Sequence, residues 1–417
     1  MKIFINSILL FVFTSTQAQQ YVWTQKSNLP AIARYEAVGF SIGNKGYLGT
    51  GGNFNSGQVL SDFWEYDPLA DLWTQKANVP GSARYGAVGF SIHGKGYVGT
   101  GWANNGGSAL KDFYEYNPIS NVWIQKANFL GSARYDAVGV DIDNYGFVGF
   151  GYSPLQNDLY IYVPIINQWT QRTDFPGAAR QSLVAFSIDS VAYFTCGASN
   201  AVSYNDCWRY DPYIDTWTQM ANFPGNPRYG SVAFKINNTG IVGGGLDGQT
   251  YFNDFYAYSA TQNSWTPITS FPGGLRNAAD AFSINNNGYL SCGKYQNNVY
   301  YNDLWELSEV TAMPEAAVVQ PKVYFNKSNK TLTVTGLPNK RLTLKIFSLS
   351  GQLVFNQVFQ SDNLQISLQL NSGIYSYSIE GVGIHLSSIG ITTGTYEQKG
   401  KLIVDERKLK EAIKNNP

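Results

Sequence analysis

Four residue types recur through the first three quarters of this chain at nearly constant offsets, and the recurrence leaves few folds open. Trp stands at Trp23, Trp73, Trp123, Trp169, Trp217 and Trp265, and eleven residues after each comes an Arg: Arg34, Arg84, Arg134, Arg180, Arg228 and Arg276. Twenty-eight residues after each Trp comes a Gly, at Gly51, Gly101, Gly151, Gly197, Gly245 and Gly293. An Asp then opens an aromatic stretch, at Asp62, Asp112, Asp158, Asp206, Asp254 and Asp303. A period of 46 to 50 residues built from short apolar runs points to stacked repeats, not to one large globular core.

Each copy contains four β-rich runs. In the copy from residue 34 to residue 73 they are Tyr35 to Ile42, Tyr47 to Gly51, Phe63 to Tyr66 and Leu72 to Gln75, separated by a Gly-Asn-Lys-Gly turn, a glycine-rich loop and an Asp-Pro turn. This is the pattern of a four-stranded antiparallel meander. Such a sheet cannot bury both faces alone, so the copies must stack, and closing the stack into a ring removes its exposed ends. Copy length varies only between the Gly and the Asp, from 7 to 11 residues, which marks that segment as a surface loop. The chain enters with a lone fourth strand, Tyr21 to Gln25, and leaves after a third strand, Asp303 to Leu307, so pairing the two completes a sixth sheet and leaves no unpaired edge.

Glycines ending the second strand, then Tyr66, then Trp73, in that order, resemble the kelch motif, and residues 21 to about 310 resemble a kelch β-propeller. The expected fold is all-β: a six-bladed kelch β-propeller over residues 19–310, closed by its N-terminal strand and followed by a small β-sandwich over residues 322–404. Residues 1–18 read as a secretory signal peptide, with Lys2, an apolar run from Ile3 to Phe13 and the small-residue approach Thr16-Gln17-Ala18. Residues 311–321 read as a linker, and 405–417 as a charged tail. No later segment is long and apolar enough to span a bilayer.

From Val323 the repeat gives way to short alternating strands: Leu332 to Val334, Leu342 to Phe347, Leu353 to Phe359 and Leu364 to Leu370. Val323-Tyr324-Phe325-Asn326, the Ile346-Phe347 to Gly351-Gln352 turn, Gly373-Ile374-Tyr375 and Gly400-Lys401-Leu402-Ile403-Val404 resemble the type A C-terminal sorting domain of the type IX secretion system of Bacteroidota. The resemblance implies the secretion machinery as a partner and export to the cell surface or beyond. Gly381 to Thr395 reads as an insertion in that pattern.

Lys plus Arg equals Asp plus Glu at 29 each, so no global field favours nucleic acid or an anionic membrane. Cys196 and Cys207 flank one loop, where an oxidising compartment would permit a disulfide; as small core residues they need none. His93 and His385 are the only histidines, and there is no zinc spacing, phosphate-binding glycine loop or nucleophile elbow, so no metal or cofactor is expected. A copper-radical site of the galactose oxidase type, which needs paired His ligands on a kelch propeller, cannot be assembled.

Strand direction places the six Arg residues and the variable loops on one rim. One reading is a cationic ring at the channel mouth, with Tyr35, Tyr85, Tyr135 and Tyr229 beside it, suited to a carboxylated sugar or an acidic peptide loop. The other is a brace repeated six times, each Arg reaching the Asp of its own copy, with Arg34 and Asp62 as the model pair. Where the copies differ, the loops carry Trp102, Tyr152, Tyr251 and Tyr295 among Asn and Gly, the composition of a binding surface. Asp280 takes the inner-strand place filled by Val38, Val88, Val138, Val184 and Val232, where burial would raise its pKa and make it a candidate acid or base. The expected function is an exported, monomeric propeller that binds a carbohydrate or a protein. The alternatives are a mutarotase of the sialic acid type and a structural surface protein.

Overall fold

The structure is a computed structural model that describes residues 20–103, 107–200 and 202–310, together with, in the C-terminal part, 322–326, 331–335, 341–348, 350, 352–360, 363–367, 374–381 and 384–392. The expected signal peptide, linker and charged tail, Asn104-Asn105, Gly351, Gly373 and the 400–404 motif all lie outside the described residues. Two compact units divide the chain between Ala312 and Met313. The described residues are all-β, with no α-helix among them.

Six four-stranded antiparallel sheets form the body of the first unit, with one three-stranded and two two-stranded small sheets in its loops among the described residues. The first consists of Val38–Ile42, Lys45–Gly49, Phe63–Asp67 and Leu72–Lys76, and the next four repeat the order. The sixth combines Asp280–Ile284, Asn287–Ser291 and Leu304–Val310 with the N-terminal strand Gln20–Lys26, which pairs in register from Gln20 opposite Val310 to Lys26 opposite Leu304. Burial is greatest in the second strand and least in the fourth. Second strands such as Lys45–Gly49 are buried along nearly their whole length, whereas fourth strands such as Leu72–Lys76 are largely exposed.

The sheets are fitted together by a knob and a hole. Phe40 of the first sheet lies so close to Gly96 of the second that a Cβ there would clash with the ring. Phe90 meets Gly146, Phe186 meets Gly240 and Phe282 meets Gly46 in the same way. Only glycine leaves room for a ring so close. Where the third sheet carries the smaller Val140, the fourth answers with Ala192 instead of glycine, and the two lie in one core cluster. Each fourth-strand Trp also donates its indole N–H to a carbonyl of the preceding sheet. Examples are Trp73 to Ser27 O at 2.9 Å and Trp123 to Ala77 O at 2.8 Å, with Trp23 to Thr269 O a longer 3.4 Å.

First strands lie side by side around a central cavity of about 500 Å³, lined from Ala37 to Ser41 and by the equivalent residues of the other five sheets. Their burial alternates, Val38, Phe40 and Ile42 packing between sheets while Gly39 and Ser41 face the cavity. The C-terminal unit has one three-stranded sheet, with Thr331–Thr335 central, and one four-stranded sheet. Leu332, Leu344 and Ile346 are its buried apolar residues among those described. Within the segment read as an insertion, Ile384–Thr392 pairs antiparallel with Ile374–Gly381 as an edge strand of the four-stranded sheet.

Candidate functional site

At the end of each second strand the chain takes left-handed backbone angles at two successive residues, Thr50 (φ 58°) and Gly51 (φ 93°) in the first sheet. This turn directs the Thr50 carbonyl away from the ladder, and Arg34 Nη1 donates to it at 2.9 Å. The same guanidinium grips Asp62 with two hydrogen bonds of 2.5 and 2.7 Å, and its Nε bonds Ile32 O at 3.0 Å. Arg84 with Asp112, Arg134 with Asp158, Arg180 with Asp206, Arg228 with Asp254 and Arg276 with Asp303 repeat the arrangement. Rings cover several guanidinium faces: Arg180 lies 3.9 Å from the Tyr204 centroid and Arg276 3.8 Å from that of Tyr301.

This geometry belongs to the brace, not to the cationic ring. All six Arg residues are at most 2% exposed, so a ligand would have to displace a bidentate carboxylate to reach one. Burial alone would push the Asp62 carboxyl up, but the Arg34 hydrogen bonds and charge, helped by the Trp64 indole, hold it below the usual carboxylate range.

The variable residues stand closer to the axis. One position beyond Tyr35, Tyr85, Tyr135, Gln181, Tyr229 and Asn277 the backbone turns left-handed, at Glu36, Gly86, Asp136, Ser182, Gly230 and Ala278. These six residues form a collar of hydrogen bonds from sheet to sheet. Glu36 N donates to Ala278 O (2.9 Å), Gly86 N to Glu36 O (3.1 Å) and Asp136 N to Gly86 O (2.9 Å). Ser182 N then donates to Asp136 O (2.9 Å), Gly230 N to Ser182 O (3.0 Å) and Ala278 N to Gly230 O (2.9 Å), returning to the start.

Two collar residues are acids, and sequence reasoning missed both. A Cβ on Gly86 would stand 2.6 Å from Asp136 Oδ1 and 3.3 Å from Glu36 Oε2, so the carboxyl groups meet in the space that this glycine leaves. Their side chains hydrogen bond to each other. Desolvation drives the Glu36 carboxyl well above its usual value, with the Asp136 charge adding to the shift and Lys294 opposing it. Asp136 is raised by desolvation to about 6, held down by its bonds to Glu36 and Ser182. The legible signal was an acid in two copies at a place that is otherwise Gly, Ser or Ala.

Around the acids runs an arc of aromatic rings. Tyr35 is buried against Phe54 (5.1 Å), Tyr85 (5.8 Å) and Tyr300 (5.8 Å), with Lys294 Nζ 4.0 Å from its ring centroid. The arc continues from Tyr85 to Tyr135 (6.4 Å), against which Trp102 (5.1 Å) and Tyr152 (5.6 Å) pack. Tyr251 and Tyr295 form a separate pair at 4.8 Å, and Tyr229 belongs with them through the Leu246 bridges. Tyr35 is thus a core residue that positions the others, whereas Tyr85, Tyr135, Tyr229, Trp102, Tyr152, Tyr251 and Tyr295 are partly exposed.

Asp280 stands apart from this group. It lines the cavity, where desolvation raises its carboxyl to about 7 while hydrogen bonds from Ala281 N (2.7 Å) and Gly39 N pull it down. Asp141, also on the cavity wall and also raised by desolvation, to about 6, feels the charge of Lys235. Cys196, Cys207 and Cys292 are buried free thiols, and burial pushes Cys196 and Cys292 up to about 11. Among the described residues no group of three or more His, Cys, Asp or Glu is placed to hold a metal ion. No helix among them is long and apolar enough to cross a membrane.

Residues 358–417 match a family described as Flagellar hook-associated protein 2 C-terminus, a stretch mostly outside the described residues. No curated protein matches the chain. Among solved structures, one titled "Structure of YjhT" superposes with a TM-score of 0.58 at 16% sequence identity, over 68% of this chain and 97% of that one. At that identity the likeness establishes a shared propeller-like all-β fold, and a fold hosts many functions.

Proposed function

We propose that the six sheets are the blades of a closed six-bladed kelch-type propeller whose loop-bearing rim binds a carbohydrate. The observation that carries this reading is the arc of partly exposed rings, Tyr85, Tyr135, Trp102 and Tyr152, standing beside the Glu36 and Asp136 carboxyls at the axis. Aromatic faces take the apolar side of a sugar ring, and closely set polar groups fix its hydroxyls. The chain acts as a monomer, exported by its N-terminal signal, with the C-terminal unit serving as a sorting-type β-sandwich. Removing residues 316 to 417 should abolish surface delivery; unchanged export removes that part of the reading.

A glycan array tests the binding. Trp102→Ala should lose most of the signal while remaining folded, and silence of the unaltered protein on every glycan favours a protein partner or a structural role.

A second reading, a sugar mutarotase, has one observation in its favour. Two carboxyl groups that share a proton supply an acid and a base in one site, as ring opening and closing at an anomeric carbon require. NMR of freshly dissolved sialic acid and of neutral sugars checks it, since no acceleration of anomer exchange removes the enzyme.

A further inference from the structure

The axial floor of the rim is short of hydrogen-bond donors, and this points to a particular class of sugar; the inference rests on the binding reading above. Glu36 and Asp136 bring two carboxyls into the Gly86 gap, joined by a hydrogen bond that requires one of them to keep a proton. A second observation lies across the collar. Asn277 is only 7% exposed, its Nδ2 stands 3.4 Å from where a Gly230 Cβ would be, and its Oδ1 has no hydrogen-bond partner. Gln181, in the same tier of the ring, leaves its Oε1 unpaired as well. A buried amide oxygen without a donor is unfavourable, and a ligand that donates would satisfy this tier. The nearby cation, Lys294, lies over the Tyr35 ring and acts on both carboxyls only through space.

We propose that the collar binds the primary ammonium group of an amino sugar, which takes the place of the proton shared by Glu36 and Asp136 while the sugar ring rests on the Tyr85, Tyr135 and Trp102 faces. An ammonium brings three donors and no acceptor, the complement of this floor. Its bonds to carboxylates are charge-assisted, and the tyrosine faces attract it further. The expected carboxylated ligand is disfavoured by the same facts, since the six guanidiniums are neutralised in their braces and the groups at the axis are acids. The charges felt by the ligand are those of Glu36, Asp136 and Lys294, since burial raises the Tyr35, Tyr85 and Tyr135 phenols and keeps them neutral near pH 6.5.

Isothermal titration with glucosamine, N-acetylglucosamine, glucose and methylammonium chloride, near pH 6.5, tests the proposal. Glucosamine should bind at least about tenfold more tightly than the other two sugars, and the double variant E36Q/D136N should lose that preference while unfolding at the same temperature or higher. Equal affinity for the three sugars, or a preference that survives in the folded double variant, overturns the ammonium site and leaves the carbohydrate reading standing. Methylammonium binding with no sugar binding supports the ammonium site and removes the carbohydrate reading. Failure of all four probes overturns both.

Discussion

The Arg–Asp braces and the axial collar are both sixfold tiers of one array, yet they obey opposite rules. In the brace tier every sheet has the same pair, each Arg is buried, and each guanidinium is committed to a carboxylate and to the carbonyl of a left-handed turn. In the collar tier the backbone bonds are uniform while the side chains are not: two acids, two glycines, a serine and an alanine occupy equivalent places. Uniform chemistry performs the same structural task six times. Uneven chemistry on a uniform backbone is what a single asymmetric ligand requires, which is why we propose the collar, not the brace, as the binding tier.

Asp62 of the brace and the two collar acids respond to pH with opposite sign. Asp62 is held below its ordinary value, so its contribution to stability is present above the unfolded-state pKa and is lost as pH falls through the folded one. Glu36 and Asp136 are raised, so folding works against their ionisation, and the cost grows as pH rises from about 4 towards 6.

Breaking a brace should have the largest effect. Arg134→Met leaves Asp158 and the Phe150 carbonyl without their donor and should cost about 3–5 kcal/mol in denaturant unfolding. A loss below about 1 kcal/mol would erase the distinction between the tiers. Filling a hole comes next: Gly96→Ala drives a methyl against the Phe40 ring and should cost about 1–3 kcal/mol. The collar should behave in the reverse sense. Asp136→Asn should raise stability at pH 8 by on the order of 1 kcal/mol and lose that gain at pH 4, as thermal unfolding across the range will register. Trp102→Ala, in a partly exposed loop, should change stability by less than about 0.5 kcal/mol while weakening glycan binding.

Much of the fold was legible because it is repeated. Trp23 lying alone before the first Arg implied a strand supplied from the N-terminus, and the pairing of Gln20–Lys26 with Leu304–Val310 realises it. The Arg–Asp brace was legible for the same reason, since one residue type kept in all six copies implies one task done six times, even though the loop between Arg and Asp varies in length. Glu36 and Asp136 were obscured by the same regularity. The repeated Arg and Asp280, which departs from a run of valines, stand out in the sequence, while the acids occupy a place already variable among Gly, Ser and Ala. That they meet depends on the ring bringing Gly86 between them, a contact between different copies that no local pattern encodes. The packing of Val140 against Ala192 was hidden likewise, since it pairs residues of two sheets.

The central claim, that the collar binds while the brace holds, is tested most directly by one paired measurement on E36Q/D136N: glucosamine titration together with thermal unfolding at pH 7.5. The account predicts that binding is lost while the unfolding midpoint stays level or rises. A lower midpoint with binding intact would contradict it.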